Sequence, residues 1–154
     1  MTIKAGETVF VDTNVLLCAT DRSCGHHDQA RGLFRAAREA GFSLALSGQI
    51  IREYLVVATR PVEVNGLGMD PADALHNVST FTPRAMLCAE TEAVSAQLRS
   101  LMATYALKGK RIHDANVVAT MTGHDIRWLV TENKEDFEVF SEVQTLGLAD
   151  LPAI

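Results

Sequence analysis

The sequence has few cysteines and no long hydrophobic run. Its 154 residues include three cysteines, Cys18, Cys24 and Cys88. A small, odd number of cysteines indicates free thiols and a reducing, cytoplasmic compartment rather than a disulfide framework. The longest apolar stretches, such as residues 15–19, fall well short of the about 18 residues that a membrane-spanning helix needs. Residues 1–7 contain no apolar signal-peptide region. We therefore expect no membrane association.

The chain also lacks an excess of positive charge. Fourteen Lys and Arg stand against nineteen Asp and Glu, which gives a formal net charge of −5. This balance excludes a protein that coats nucleic acid by charge alone. It does not exclude an enzyme that gathers several acids around a divalent cation, because the bound metal offsets part of their charge.

Neither an internal repeat nor a Pro/Gly/Ser-rich linker divides the chain. Hydrophobic residues make up 47% and charged residues 21%, which is ordinary for a globular domain. A chain of this length can bury a sizeable core without disulfides. We therefore expect a single domain over residues 1–154.

Short apolar runs alternate with segments of helical periodicity. Strands are predicted at residues 8–11, 42–46, 85–88 and 127–130, with a fifth inside 142–148. Helices are predicted at residues 15–20, around 30–37 with a stop at Gly41, from Ser47 to Arg60, from Asp70-Pro71 onward, at 91–105 and at 113–122. This alternation predicts an α/β fold with a mostly parallel sheet. In such a sheet, functional sites lie at the carboxyl ends of the strands.

Four acids lie where such a sheet would bring them to one edge. Asp12 directly follows the first strand, Glu53 borders the apolar stripe of the third helix, Asp114 opens a later helix and Asp136 follows the fourth strand. Taken singly, each has an ordinary interpretation as a helix cap, a surface acid or a turn residue. Together they favour a site for Mg²⁺ or Mn²⁺, because clustered carboxylates repel one another unless a proton or a cation intervenes. Such a site suits cleavage of phosphodiester bonds by an activated water.

Three stretches of sequence carry a family resemblance. The segment Phe10–Leu17 resembles the opening motif of the PIN-domain ribonucleases. Residues Arg111–Met121 are similar to the third-acid helix of the VapC toxins, the ribonuclease half of VapBC toxin–antitoxin pairs, and Leu129–Phe137 resembles the closing strand and loop of the family. Their order and spacing extend the resemblance over nearly the whole chain.

The resemblance implies a PIN-like three-layer α/β/α sandwich and a Mg²⁺- or Mn²⁺-dependent endoribonuclease. It matches Asp12, Glu53 and Asp114 to the first three family acids. The fourth is assigned to Asp136, with Asn133 as a supporting polar ligand. Supporting hydroxyl and amide positions are Thr13, Asn14 and Thr131.

The resemblance also implies two protein partners, a cognate antitoxin and a second copy of the chain. The helices at 26–40 and 47–59 are candidate contact faces, because their stripes include Phe34, Tyr54 and Leu55; core packing is the competing interpretation. An antitoxin partner is expected only if the protein is a toxin. A PIN-fold RNA-processing nuclease, or an RNA- or protein-binding module, remains an alternative.

Three other groups of residues have alternative functional interpretations. Lys108, Lys110 and Arg111 either contact RNA phosphates beside the metal or form a solvated basic loop. Zinc binding by Cys18, Cys24 and the adjacent histidines 26 and 27 is disfavoured, because the spacing matches no usual zinc pattern. A phosphatase of the haloacid-dehalogenase type needs a second acid two residues after the first. This chain has Asn14 at that position, and an asparagine cannot transfer protons in that role. The phosphatase interpretation is therefore disfavoured.

Overall fold

A sheet of five parallel strands forms the centre of the protein, which is described here by a computed structural model over residues 3–151. The strands are β1 (Thr8–Val11), β2 (Ser43–Ser47), β3 (Met86–Cys88), β4 (Trp128–Val130) and β5 (Gln144–Leu146). Their order is β3-β2-β1-β4-β5, and every neighbouring pair is parallel. The predicted α/β class is therefore confirmed. Residues 1–2 and 152–154 of the predicted domain lie outside the described residues.

Within residues 3–151, six α-helices connect the strands. They are α1 (Thr13–Thr20), α2 (His27–Ala40), α3 (Gly48–Thr59), α4 (Pro71–Phe81), α5 (Glu92–Tyr105) and α6 (Arg111–Gly123). Helix α1 packs against both α2 and α3, α4 packs against α3, and α5 packs along α6. The chain moves from β1 outward to β3, and it returns through α5 and α6 to β4 on the other side of β1. Right-handed crossovers in opposite directions place the two helix groups on opposite faces of the sheet, which gives the predicted three layers.

The central strands are buried on both faces. Val9, Phe10 and Val11 have no solvent exposure, and neither have Leu129 and Val130. A parallel sheet covered by helices on both sides needs apolar side chains at every position of its inner strands. This requirement explains why these strands are continuous apolar runs and show no alternating pattern.

Local signals set the ends of several helices as predicted. Ser47 Oγ accepts a hydrogen bond from the Ile50 N–H at 3.4 Å and caps α3. Gly41 ends α2 with a φ of +81°, a left-handed conformation that favours glycine. Helix α4 begins at Pro71. Helix α6 begins at Arg111, two residues before the predicted start.

The prediction of three free thiols is wrong. Cys18 and Cys24 form a disulfide, with their Cα atoms 5.3 Å apart, and Cys88 is a free, buried thiol. Cys18 lies near the end of α1, and the Cys24 N–H donates to the Asp21 carbonyl at 3.0 Å in the turn that follows. That turn folds the chain back onto α1, and spacing alone does not reveal it.

No zinc site replaces the disulfide in the part of the chain that the structure describes. Two of the four residues considered for zinc are the bonded cysteines. His27 begins α2, and its Nδ1 lies 2.8 Å from the Cys18 carbonyl, a hydrogen-bond acceptor. The disfavoured zinc interpretation therefore gains no support.

One candidate contact residue is a core residue. The Tyr54 side chain is fully buried, and its hydroxyl lies 2.8 Å from Thr20 Oγ1 and 3.0 Å from Asn77 Nδ2. Phe34 and Leu55 are partly buried and pack against the core. The competing core interpretation is therefore correct for Tyr54.

Among the described helices, none is long and apolar enough to cross a membrane.

Candidate active site

The candidate site lies where the strand order reverses. β1 lies between β2 and β4 in the sheet. After β1 the chain continues to β2, and after β4 it continues in the opposite direction to β5. At such a point the connections after two adjacent parallel strands diverge and leave a crevice at their carboxyl ends. Asp12 follows β1 and Thr131 follows β4, so both side chains lie at this crevice.

Asp12 caps α1, as its sequence position suggested, and its carboxylate also bonds residues at the crevice. Its Oδ1 accepts from the Thr13 N–H at 2.8 Å, which caps α1. Its Oδ2 accepts from Thr131 Oγ1 at 2.8 Å and from Asn14 Nδ2 at 3.3 Å. These bonds tie the end of β1 to the end of β4 and hold the carboxylate at the crevice.

The supporting hydroxyl and amide residues form one network around Asp12. Asn14 Nδ2 also donates to Thr131 Oγ1 at 3.2 Å, and Asn14 Oδ1 accepts from the Glu132 N–H at 3.1 Å. The Asn133 N–H donates to Thr131 Oγ1 at 3.0 Å. Asn133 thus enters the network through its backbone, and its exposed side chain makes no hydrogen bond in the described part of the chain.

Glu53 is held at both carboxylate oxygens. Thr13 Oγ1 donates to Glu53 Oε2 at 2.9 Å, and Gln49 Nε2 donates to Glu53 Oε1 at 3.0 Å. Thr13 is the first residue of α1, directly after Asp12. The first two predicted acids are therefore linked through a single threonine.

Arg111 contacts the last two acids, Asp114 at its carboxylate and Asp136 at its main-chain carbonyl. Arg111 Nε lies 3.4 Å from Asp114 Oδ2, and its Nη2 donates to the Asp136 carbonyl at 2.7 Å. Arg111 therefore binds within the site, one turn before Asp114. Lys108 and Lys110 are exposed in the turn before α6 and remain the candidates for RNA-phosphate contact.

The electrostatics show that the four acids share one region. Burial raises the pKa of Asp12, although the Thr131 and Thr13 hydrogen bonds oppose the shift; the charges of Glu53 and Asp136 add to it. Burial also raises the pKa of Asp114 to about 6, and the negative charge of Asp136 is the next largest cause. The Arg111 guanidinium offsets only part of this rise. Neutralising this repulsion is what a divalent cation would do.

The donor set fits a hard cation more than a soft one. All four predicted ligands are carboxylates, and hard divalent ions such as Mg²⁺ and Mn²⁺ prefer oxygen ligands. Across residues 3–151, no three His, Cys, Asp or Glu side chains converge closely enough to form a ready-made metal cage. That arrangement is compatible with Mg²⁺, which keeps several of its waters and takes only one or two carboxylates directly.

Comparison with known proteins identifies the family. A family model described as the PIN domain matches residues 9–143, a stretch that contains all four acids. The chain belongs to the PIN domain family. Ribonuclease VapC24 of Mycobacterium tuberculosis is 30% identical over 136 residues, which cover 84% of this chain and 89% of the relative.

Solved structures confirm the PIN fold. VapBC2 from Rickettsia felis, bound to a DNA fragment from its promoter, matches with a TM-score of 0.68 at 14% identity over 91% of this chain and 98% of that chain. A toxin–antitoxin complex from Klebsiella pneumoniae matches with a TM-score of 0.62 at 20% identity over 89% and 96%. At these identities the matches establish the fold alone.

Two residues of this PIN domain site were missed from the sequence. Gln49 bonds Glu53 and also donates from Nε2 to the His113 carbonyl at 2.9 Å. Asn116 Nδ2 donates to Gln49 Oε1 at 2.7 Å. The available signal was the i, i+4 spacing of Gln49 and Glu53, which puts both side chains on one helix face. Nothing in the sequence indicates that Asn116 reaches that face.

The raised pKa of Asp114 predicts that the metal-free PIN domain gains stability on mild acidification. Its folded pKa of about 6 lies above the ordinary value of 3.8, so between these values the folded state binds more protons than the unfolded state. The contribution of Asp114 to the free energy of unfolding therefore increases as the pH falls from 7 to 5. Urea unfolding in EDTA at both pH values measures the change.

The Asp114→Asn variant separates this contribution from that of Asp12, whose pKa is also raised. We expect it to be more stable than the wild type at pH 7 in EDTA, by about 1–2 kcal/mol, and to gain less on acidification. Glu39→Gln removes an exposed acid on α2 and should leave the pH dependence unchanged. An Asp114→Asn variant with the full wild-type gain between pH 7 and pH 5 would contradict the assignment.

Proposed function

We propose that this protein is a metal-dependent endoribonuclease and the toxin of a type II toxin–antitoxin pair. The observation that carries the proposal is the placement of Asp12, Glu53, Asp114 and Asp136. These acids come from separate parts of the chain and act on one another electrostatically at the carboxyl edge of a PIN-domain sheet. The ribonuclease name of a 30% identical relative supports RNA as the substrate.

The four carboxylates would hold Mg²⁺ or Mn²⁺, directly or through water. When bound, the ion would neutralise the scissile phosphate, acidify an attacking water and stabilise the leaving oxygen. Asp12 is fixed for this task by Thr131 and Asn14. Glu53, which is held at both oxygens, would complete the shell and orient the attacking water.

The cations near α6 divide into two roles. Arg111 bonds the Asp136 carbonyl and pairs with Asp114, so it sets the spacing of the two acids. Lys108 and Lys110 are exposed in the preceding turn and free to contact phosphates. Asn133 would contribute through its exposed side chain, by way of water.

The partners proposed are RNA, a cognate antitoxin and a second copy of this chain. The antitoxin is inferred from the toxin–antitoxin complex among the structural matches. With RNA as the proposed substrate, the proposed compartment is the cytoplasm. A disulfide between Cys18 and Cys24 would be unusual there, so alkylation of free thiols in intact cells before lysis is informative about the compartment.

Metal removal tests the nuclease. Purified protein is incubated with total RNA in Mg²⁺, in Mn²⁺ and in EDTA, and the new 5′ ends are sequenced. We expect discrete fragments with either metal and none with EDTA. Fragments that persist in EDTA would overturn the metal-dependent mechanism, and RNA binding in EDTA without cleavage under any condition would favour a binding module.

Expression tests the toxin role separately. Growth arrest on induction, with the same RNA cut in the cell, distinguishes a toxin from a processing nuclease. Growth that continues while one precursor RNA is shortened would favour processing.

A further inference from the structure

Gln49 is an almost fully buried polar side chain in the first turn of α3. Its relative exposure is 1%, although a glutamine on a helix is ordinarily a surface residue. A buried amide is costly unless its polar atoms find partners. The partners of Gln49 are therefore informative about why it is there.

The partners fix the amide in one orientation. Nε2 lies within hydrogen-bond distance of Glu53 Oε1 and the His113 carbonyl, both of which can only accept. Oε1 faces Asn116 Nδ2, which can only donate. A flipped amide would present its oxygen to two acceptors, so the observed orientation is the only one that satisfies these bonds.

These bonds connect two helices that carry different acids. Gln49 and Glu53 lie on α3, and the His113 carbonyl directly precedes Asp114 in the first turn of α6. Glu53 is thereby braced from one side by Thr13 and from the other by Gln49. The same amide sets the position of α3 against the first turn of α6.

We propose that Gln49 is a positioning residue, which aims Glu53 at the metal and fixes its separation from Asp114. The inference rests on the proposed function, because it assigns Glu53 to the metal shell. A competing role is a purely structural one, in which the amide joins two helices and has no effect on the metal. The two roles differ in what happens to metal affinity when Glu53 is already neutral.

Mn²⁺ binding by calorimetry, in the absence of RNA, tests the proposal. Gln49→Met keeps the length of the side chain but removes both donors and the acceptor. We expect it to raise the Mn²⁺ Kd about 10–100-fold, the usual effect of losing a residue that orients a ligand. In a Glu53→Gln background, the same substitution should change the Kd by less than about threefold, because the group that it aims no longer carries charge.

Asn77→Leu is the matched control. Asn77 lies on α4, and its Nδ2 donates to the Tyr54 hydroxyl. Loss of this bond should lower the free energy of unfolding with no change in the Mn²⁺ Kd. If Gln49→Met does not fold, Asn116→Ala replaces it. That variant removes the donor to Gln49 Oε1 but leaves the Gln49 amide in place, and it should weaken Mn²⁺ binding less, about 3–10-fold.

The outcomes separate this inference from the proposed function. If Glu53→Gln alone leaves Mn²⁺ binding unchanged, the assignment of Glu53 to the metal fails. If Glu53→Gln weakens binding but Gln49→Met and Asn116→Ala do not, the positioning role alone is overturned. Equal losses from Gln49→Met in both backgrounds would identify a structural role.

Discussion

Replacing Asp12 with asparagine will reduce RNA cleavage by more than about 100-fold without unfolding the protein. Among the four predicted acids, Asp12 alone has hydrogen bonds within residues 3–151 both to Thr131, directly after β4, and to the start of α1. Asparagine has nearly the same shape but carries no charge, so it loses the attraction to the cation. It remains a good helix N-cap, so α1 should stay intact.

The fold of this variant should be preserved for a second reason. Burial and the charges of Glu53 and Asp136 raise the pKa of Asp12, so the folded protein disfavours the charged form. A neutral side chain at this position relieves that cost when no metal is bound. The gain is offset because an asparagine amide has one acceptor oxygen and cannot keep all the bonds that the two Asp12 oxygens accept. Circular dichroism and urea unfolding in EDTA should therefore show a folded variant within about 1 kcal/mol of the wild type.

Cleavage of total RNA in Mg²⁺ measures the effect, with Glu39→Gln as the control. Glu39 is an exposed acid on α2, and its neutral variant has the same net charge as Asp12→Asn. The control should cleave at the wild-type rate. Asp12→Asn protein that cleaves within threefold of wild type, at the same sites, would remove Asp12 from the catalytic set.

Truncating Phe10 to alanine will lower the free energy of unfolding by about 3–5 kcal/mol. Phe10 lies in the middle of β1, has no solvent exposure and is paired on both sides, with Ala45 of β2 and Leu129 of β4. The change removes apolar contacts and leaves a cavity that neighbours held in the sheet cannot fill. Urea unfolding followed by fluorescence measures the loss.

Two further variants separate the cavity from other effects. Phe10→Leu keeps most of the buried volume and should cost less than about 1.5 kcal/mol. Val56→Ala shortens a side chain that is 54% exposed on α3 and should stay within about 0.5 kcal/mol of wild type. A Phe10→Ala loss no larger than that of Val56→Ala would mean that β1 does not occupy the centre of the core.

The sequence by itself determined the strands, most helix ends and the strand-tip position of Asp12. These features depend on neighbours in the chain: an apolar run between polar residues, Ser47 three residues before the Ile50 N–H that it caps, or Pro71 at the first position of a helix. Because such interactions span four residues or fewer, periodicity and capping rules can find them. The family resemblance then predicted the four acids as the metal site.

Only the tertiary structure decided which side chains meet. The disulfide of Cys18 and Cys24 depends on a turn that folds back onto α1. Arg111, one candidate for RNA contact, pairs with Asp114 because α6 begins two residues earlier than its apolar pattern suggested. The bond from Asn116 to Gln49 joins residues 67 positions apart. Contacts between distant residues depend on how whole helices pack on the sheet, and neither periodicity nor spacing along the chain contains that information.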